Sequence, residues 1–203
     1  MNLNYKVIPA FAVPLGVAKL DKDCCDPLKE LETVTQSVTE DQRVLYDQLS
    51  KVPEVKIKIL NVFTQYMNKV LGTPEQQYAI TTSWITKNDD GSRMTRHRHY
   101  NSYYSSVFYF DEVTEEHPQL VLENPLEKSG FFIKPENNTA YTGNNYFAPM
   151  EEGLIIFFPS YIFHHHYPFT FNKVPRKSLA CNYVPIGKIG DLDSTLDTSK
   201  LHG

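Results

Sequence analysis

Cysteine is scarce in this chain, and its scarcity excludes several classes. Three cysteines, Cys24, Cys25 and Cys181, stand among 203 residues. An odd count with two adjacent members makes no disulfide framework, and no pair has the spacing of a zinc ribbon. Reduced thiols in a reducing cytoplasm are therefore expected. Long apolar runs are missing too. None approaches the roughly 18 residues of a membrane span. Positive charge is not in excess: a formal net charge of −4 gives no global basic field for nucleic acid. Met1 to Leu20 lacks a long apolar stretch and is interrupted by Pro9 and Pro14, unlike a signal peptide. No internal repeat, linker or low-complexity tract divides residues 1–203, so one domain is expected.

Aromatics, by contrast, are abundant. Thirteen Tyr and 12 Phe crowd toward the second half, where they favour strands. Tyr5 to Leu20 reads as an edge strand or extended arm. Helical patterning covers about 26–72. Asp26 is placed to cap a helix with Pro27 at its first position, running through Leu28, Leu31 and Val34. Thr39 and Gln42 resemble a capping box for a second helix through Val44, Leu45 and Leu49. A third run sets Val55, Ile59, Phe63, Met67 and Val70 on one face and closes near Gly72. From about 76 to 186 the periodicity is that of strands: Tyr78–Thr86, Thr95–Tyr100, Ser105–Phe110, Gln119–Glu123, Gly130–Lys134, Leu154–Phe158, Phe163–Pro168 and Arg176–Tyr183. Eight short strands separated by Gly, Asn, Asp and Pro suggest a sandwich or jelly roll supported by N-terminal helices. The tail from Gly187 reads as polar and loose.

Five of the seven histidines fall in two clusters, His97-Arg98-His99 and His164-His165-His166. His117 and His202 stand alone. On a strand, residues two apart share a face, so His97 and His99 project together, as do His164 and His166. Two imidazoles from one strand and one from a distant strand can grip iron, copper, nickel or zinc. A His-x-His pair alone is more often structural. Here His164 follows a buried apolar strand, Leu154 to Phe158, and the turn Pro159-Ser160. Twelve residues after His164 comes Arg176, with Ser178 on the same face. A cation and a hydroxyl beside a metal make a carboxylate pocket.

Arg93 to Phe110 and Gly153 to Asn182 resemble the 2-oxoglutarate/iron(II) oxygenases common in marine phages and bacteria, distant relatives of prolyl hydroxylases. The first stretch carries His97, His99, Ser102, Ser105, Ser106, Val107, Phe108 and Tyr109 in that family's order. The second carries Gly153, Phe158-Pro159-Ser160, His164, Arg176, Ser178 and Asn182. The resemblance implies a double-stranded β-helix (jelly roll, cupin-like). It also implies His97 and His164 as iron(II) ligands, with Arg176 and Ser178 on the distal carboxylate of 2-oxoglutarate. Strand alternation puts Tyr109 on the face of Ser105 and Val107, where it either meets the cosubstrate or is a core tyrosine with a satisfied hydroxyl. The implied activity couples oxidative decarboxylation of 2-oxoglutarate to hydroxylation of a peptide prolyl, a nucleotide or a small metabolite.

Two positions depart from the pattern. Ser106 stands where Gly is usual. His99 stands where the wider superfamily has Asp or Glu, which makes His97, His99 and His164 the expected metal set. Two other arrangements stay open: His99 holding a water outside the metal's ligands, or His99 as the first ligand with Asn101 nearby. His166 is placed to line the pocket and His165 to face away; Arg98 reads as a solvent or supporting group, Trp84 and Cys181 as core. Asn137 to Phe147 is expected at the mouth. Two rival functions remain. A cupin-type metalloenzyme without 2-oxoglutarate would add a Glu after His99, but Tyr100 to Val107 has none, and Arg176 and Ser178 would have no task. A non-catalytic jelly-roll structural or interaction protein would have no need of the histidines.

Overall fold

The computed structural model describes residues 8, 10–35, 46–73, 75–88, 94–126, 134–137, 139, 141–167 and 175–201. Its elements run β1 (Gly16–Lys19), α1 (Lys22–Lys29), β2 (Val34–Thr35), α2 (Pro53–Leu71), β3 (Gln77–Asn88), β4 (Met94–His97), β5 (Tyr104–Tyr109), β6 (Val121–Glu123), β7 (Asn145–Phe147), β8 (Leu154–Pro159), β9 (His164–His166), β10 (Arg176–Ile186), β11 (Lys188–Ile189) and β12 (Leu196–Asp197). A six-stranded sheet has the order β1-β8-β5-β10-β3-β2, and a four-stranded sheet the order β4-β9-β6-β7. This is a jelly roll, mainly β, with the helices on one face of the large sheet. Among the described residues no helix is long and apolar enough to cross a membrane.

The large sheet is built around β10, flanked by β5 and β3. Because side chains alternate across a strand, β10 serves two layers. Leu179, Cys181 and Tyr183 face the helices. Phe63 of α2 stacks on Tyr183 at 4.0 Å between ring centroids. Val55, Ile59, Phe63 and Met67 are buried as their four-residue spacing predicts, and Gly72 ends the helix in the left-handed region at φ 65°. Each such side chain fully removed from water stabilises the fold by roughly 1.5–3 kcal/mol. The opposite face of the sheet packs Tyr109, Ile156 and Phe158 against Leu120 and Leu122 of the small sheet. Ser106, where the pattern has Gly, sits on the helix side and meets the Tyr183 hydroxyl at 2.8 Å.

Gly153 has a structural reason. Its φ is 84°, and a Cβ there would come within 2.7 Å of the Leu20 carbonyl oxygen. Its backbone bonds both Leu20 and Tyr109, which lets the edge strand β1 close onto β8.

Three expectations need correction. The first helix spans Lys22–Lys29 with Asp21 as its N-cap residue, so Asp26 and Pro27 lie inside it. Cys24, Cys25 and Leu28 form its buried face; the two cysteines act as small apolar groups and move the start forward. Leu31 lies beyond its end, and Val34 pairs in β2 with β3. The tail is ordered: β11 pairs with β12, and the Asp191 and Asp197 carboxylates accept backbone N–H groups of the short 3-10 turns. β7 was unforeseen, within a stretch expected as loop. Thr39, Gln42, Val44 and Leu45 of the expected second helix, residues 130–133 of an expected strand, and His202 lie outside the described residues.

Candidate functional site

The small sheet sets the three histidines. His97 of β4 pairs with His164 of β9. β4 stops there, so His99 does not share a strand face with His97 as the two-residue spacing implied. The chain turns instead, and the His99 backbone N–H donates to the Ser160 carbonyl at 3.1 Å. The turn still delivers the ring: one ring nitrogen each from His97, His99 and His164 lies within 4.8 Å of the others. Asn101 is exposed, with φ 54°, and belongs to the turn.

The outer ring nitrogens are all engaged. His97 Nδ1 lies 2.8 Å from the Thr95 carbonyl and His164 Nδ1 lies 3.1 Å from that of Ile162. His99 Nδ1 lies 2.5 Å from Asn182 Oδ1 and 3.0 Å from Ser105 Oγ. Carbonyl acceptors place the proton on Nδ1 and leave the Nε2 lone pairs for a cation. Asn182 is itself fixed: its Nδ2 donates to Thr82 Oγ1 at 2.9 Å, and Ser105 donates to its Oδ1. Ser160 and Ser102 continue the chain of hydroxyls. The Ser and Asn positions of the sequence pattern are thus the support beneath His99.

Burial disfavours the protonated form of His164 and His99. It pushes His164 down to about 3, with the electrostatic influence of the neighbouring His97 adding to the shift. Burial likewise lowers His99, against the Asn182 hydrogen bond. His166 falls to about 4 through burial and then Arg176. In the unfolded chain a histidine takes its proton near 6.5. Between about 6.5 and 3 the unfolded state therefore binds protons that the folded state refuses. The metal-free protein is expected to be most stable above this window and to lose stability as pH falls through it. Thermal melts from pH 7 to 4 read this directly, and a melting temperature that holds or rises on acidification would count against neutral buried imidazoles.

Arg176 and Ser178 lie on the face of β10 that meets the small sheet. Arg176 is 4 % exposed, and among the described residues it has no acidic partner. Its Nη1 donates to the Pro118 carbonyl and touches Met150 sulfur at 3.8 Å. Among the described residues its Nε finds no acceptor, and the buried Tyr109 hydroxyl has no well-formed hydrogen bond beyond an approach to the Leu120 backbone. The guanidinium sits 5.7 Å from the Tyr109 ring. Ser178 Oγ is 3.1 Å from Thr86 Oγ1. A buried cation with orphaned donors around it is costly unless an anion completes it. The donor set therefore fits a carboxylate here, and three lone-pair nitrogens fit a divalent metal beside it.

The remaining candidates sort by face. His166 is buried on the His164 side and next to Arg176 electrostatically. His165 faces the other way, 3.5 Å from the Glu123 carboxylate. Arg98 is half-buried and stacks over Phe163 and Tyr100. Trp84, read as core, is half-buried with its ring 5.5 Å from that of His99, so it walls the site. A row of register partners, His97, His164, Leu122 and Tyr146, runs across the small sheet. It ends at an aromatic ring that is 47 % exposed. A cleft of about 510 Å³, lined by Pro118, Phe147, Met150 and Tyr167, adjoins the Arg176 end.

Comparison with known proteins agrees with this geometry. The family described as "Putative 2OG-Fe(II) oxygenase" matches residues 82–182. AviO1 from Streptomyces viridochromogenes Tue57 is similar in structure, with TM-score 0.55, 15% identity and coverage of 92% of this chain and 93% of that one. HygX from Streptomyces hygroscopicus, solved with nickel and 2-oxoglutarate bound, gives TM-score 0.54 and 11% identity over 85% of this chain and 82% of that one. An oxidoreductase of the 2OG-Fe(II) oxygenase family from Burkholderia pseudomallei gives TM-score 0.43 and 16% identity; 60% of this chain is covered, which spans 52% of that protein's length. No curated protein matches. These low identities speak for the fold, and the family match for the chemistry. Residues 82–182 are thus similar to the 2OG-Fe(II) oxygenases, and the donor set fits iron(II) as cofactor and 2-oxoglutarate as cosubstrate.

Proposed function

We propose that this protein hydroxylates an organic substrate, with His97, His99 and His164 holding iron(II) through Nε2 and Arg176, Ser178 and Tyr109 holding the distal carboxylate of 2-oxoglutarate. The convergence of three imidazoles, each with Nδ1 already committed, carries the reading. Three protein ligands would leave room on a bound iron for the ketoacid and for the oxidant of the reaction. The bound iron and ketoacid supply the oxidising chemistry. The protein's part is to orient them, balance charge and exclude water. Three neutral ligands leave the metal's two positive charges whole, and a dianionic cosubstrate offsets them. Arg176 then anchors the far end of that dianion.

A cupin without 2-oxoglutarate would leave the buried Arg176 cation uncompensated, and so would an inert jelly roll. Tyr146 sits two strands from His164, roughly 10 Å at the usual strand spacing, and offers a substrate an aromatic surface. A peptide prolyl, a nucleotide base or a small metabolite would each meet that chemistry. Succinate formation tests the reading. Protein loaded with iron(II) without air, then given 2-oxoglutarate and oxygen, is expected to release succinate even with no added substrate, slowly. Protein that holds iron but yields no succinate, with or without candidate substrates, overturns it.

A further inference from the structure

Asn88 ends β3 with its side chain completely buried, and among the described residues neither Oδ1 nor Nδ2 has a hydrogen-bond partner. A primary amide has two donors and two acceptor lone pairs, and leaving them unmet in the interior costs far more than an apolar residue would. Such a group in a folded protein asks for an unseen partner. The register says where that partner lies. Asn88 is the direct cross-strand partner of Arg176, and Thr86 of Ser178. Directly opposed residues share a face, with Cβ atoms about 5 Å apart. Asn88 therefore stands on the inner face beside Arg176 Nε and in the pocket that Tyr109 also borders. Among the described residues three orphaned polar atoms, Arg176 Nε and both ends of the Asn88 amide, belong to one end of the site, with the Tyr109 hydroxyl beside them.

We infer that Asn88 binds the distal carboxylate of the cosubstrate and makes the site selective for a dicarboxylic ketoacid. This rests on the reading of the site given under Proposed function. Arg176 offers charge. Asn88 Nδ2 adds a neutral donor from the neighbouring strand, so the carboxylate is gripped from β3 and β10 together. Asn88 Oδ1 repels a carboxylate and turns to a donor left over in the pocket, Arg176 Nε or Tyr109 Oη. The amide thus settles acceptor and donor at once when the anion enters. Glutamine would overfill a position with no exposed surface. Aspartate would place like charges in contact.

The test uses metal-loaded, air-free protein titrated calorimetrically with two ligands: 2-oxoglutarate, and 2-oxovalerate, which keeps the ketoacid end and chain length but lacks the distal carboxylate. Asn88→Leu keeps the branched outline and heavy-atom count of the side chain and removes both orphaned atoms. It is expected to bind 2-oxoglutarate roughly 10- to 100-fold more weakly, the worth of one hydrogen bond to a charged group. Its affinity for 2-oxovalerate stays within about twofold of wild type, because that difference isolates the distal carboxylate. Asn88→Ala repeats the measurement should the leucine variant misfold. Unchanged 2-oxoglutarate affinity overturns the inference, and so does an equal loss for both ligands. If wild-type protein binds neither ketoacid, the reading of the whole site falls and this inference with it; if wild type binds and the variant matches it, only the inference falls.

Discussion

Replacing His164 by alanine is expected to abolish metal loading and succinate formation together. His164 is 3 % exposed, its Nδ1 is committed to Ile162, and its partner strands place it between His97 and Leu122. Changing an outer partner of a metal ligand costs roughly 10- to 100-fold in affinity or activity, and losing a ligand nitrogen costs more. The folded state should survive, since Phe158 and Leu122 still close that layer. It should even lose less stability on acidification, because a buried ring that resists protonation is gone. His165→Ala is the control: it faces Glu123 and should load metal as wild type does. His99→Asp is the discriminating variant. It restores the more usual carboxylate, yet Asn182 presents Oδ1, an acceptor, to position 99. A carboxylate there meets an acceptor in place of a hydrogen-bond partner. Metal binding by His99→Asp is expected to be weaker than wild type. Full iron content in His164→Ala, measured by metal analysis of protein purified in parallel, would sink the ligand set.

That contrast shows what the sequence could and could not deliver. The four-residue period of Val55, Ile59, Phe63 and Met67 survives into α2 because burial against one sheet enforces it. The apolar run before Ser160 survives into β8, whose side chains are buried on both faces. His164 and Arg176 stood out in the sequence because of their chemistry, and both are buried in the fold, where such chemistry is costly. Local signals failed where packing overrode them. Asp26-Pro27 reads as a helix start, but Cys24 and Cys25 are buried at 1 % and 2 % and pull the helix forward. In the tail, polar residues cap short turns, which composition alone reads as looseness.

At the site, the missing information was register. The His-x-His spacing was read as one strand face, whereas the convergence comes from a turn after β4 held by Ser160. No pattern within a single segment reveals that Asn88 opposes Arg176, since the two are paired only by the β3–β10 ladder. Trp84 was assigned to the core for the same reason: its neighbour His99 lies across the fold. Residues that carry charge or lone pairs could be picked out singly, while the polar groups that steady them became visible only when strands were aligned.

Arg176→Leu is expected to move affinity and stability in opposite directions. Truncating one member of a buried charge pair costs about 2–5 kcal/mol of binding, so 2-oxoglutarate affinity should fall on the order of 100-fold or more. Without cosubstrate the balance reverses. The guanidinium is then a buried cation with no acid partner, and burial already pulls its pKa below the usual arginine value. Replacing an uncompensated buried charge by a well-packed apolar side chain is often stabilising. The carbonyl it leaves, that of Pro118, borders the open cleft and can take a water. The ligand-free variant should therefore melt at or above the wild-type temperature. Wild type, in contrast, should gain stability on adding 2-oxoglutarate by RT ln(1 + [L]/Kd), a gain the variant loses. Arg176→Lys keeps the charge without the planar fork and should fall between them. Paired melting curves of the three metal-loaded proteins, with and without 2-oxoglutarate, read both effects at once. A leucine variant that still gains the full wild-type shift would remove Arg176 from the cosubstrate site. A variant that loses the shift and also melts well below wild type would make the guanidinium a structural cation, held by the Pro118 carbonyl and the Tyr109 ring.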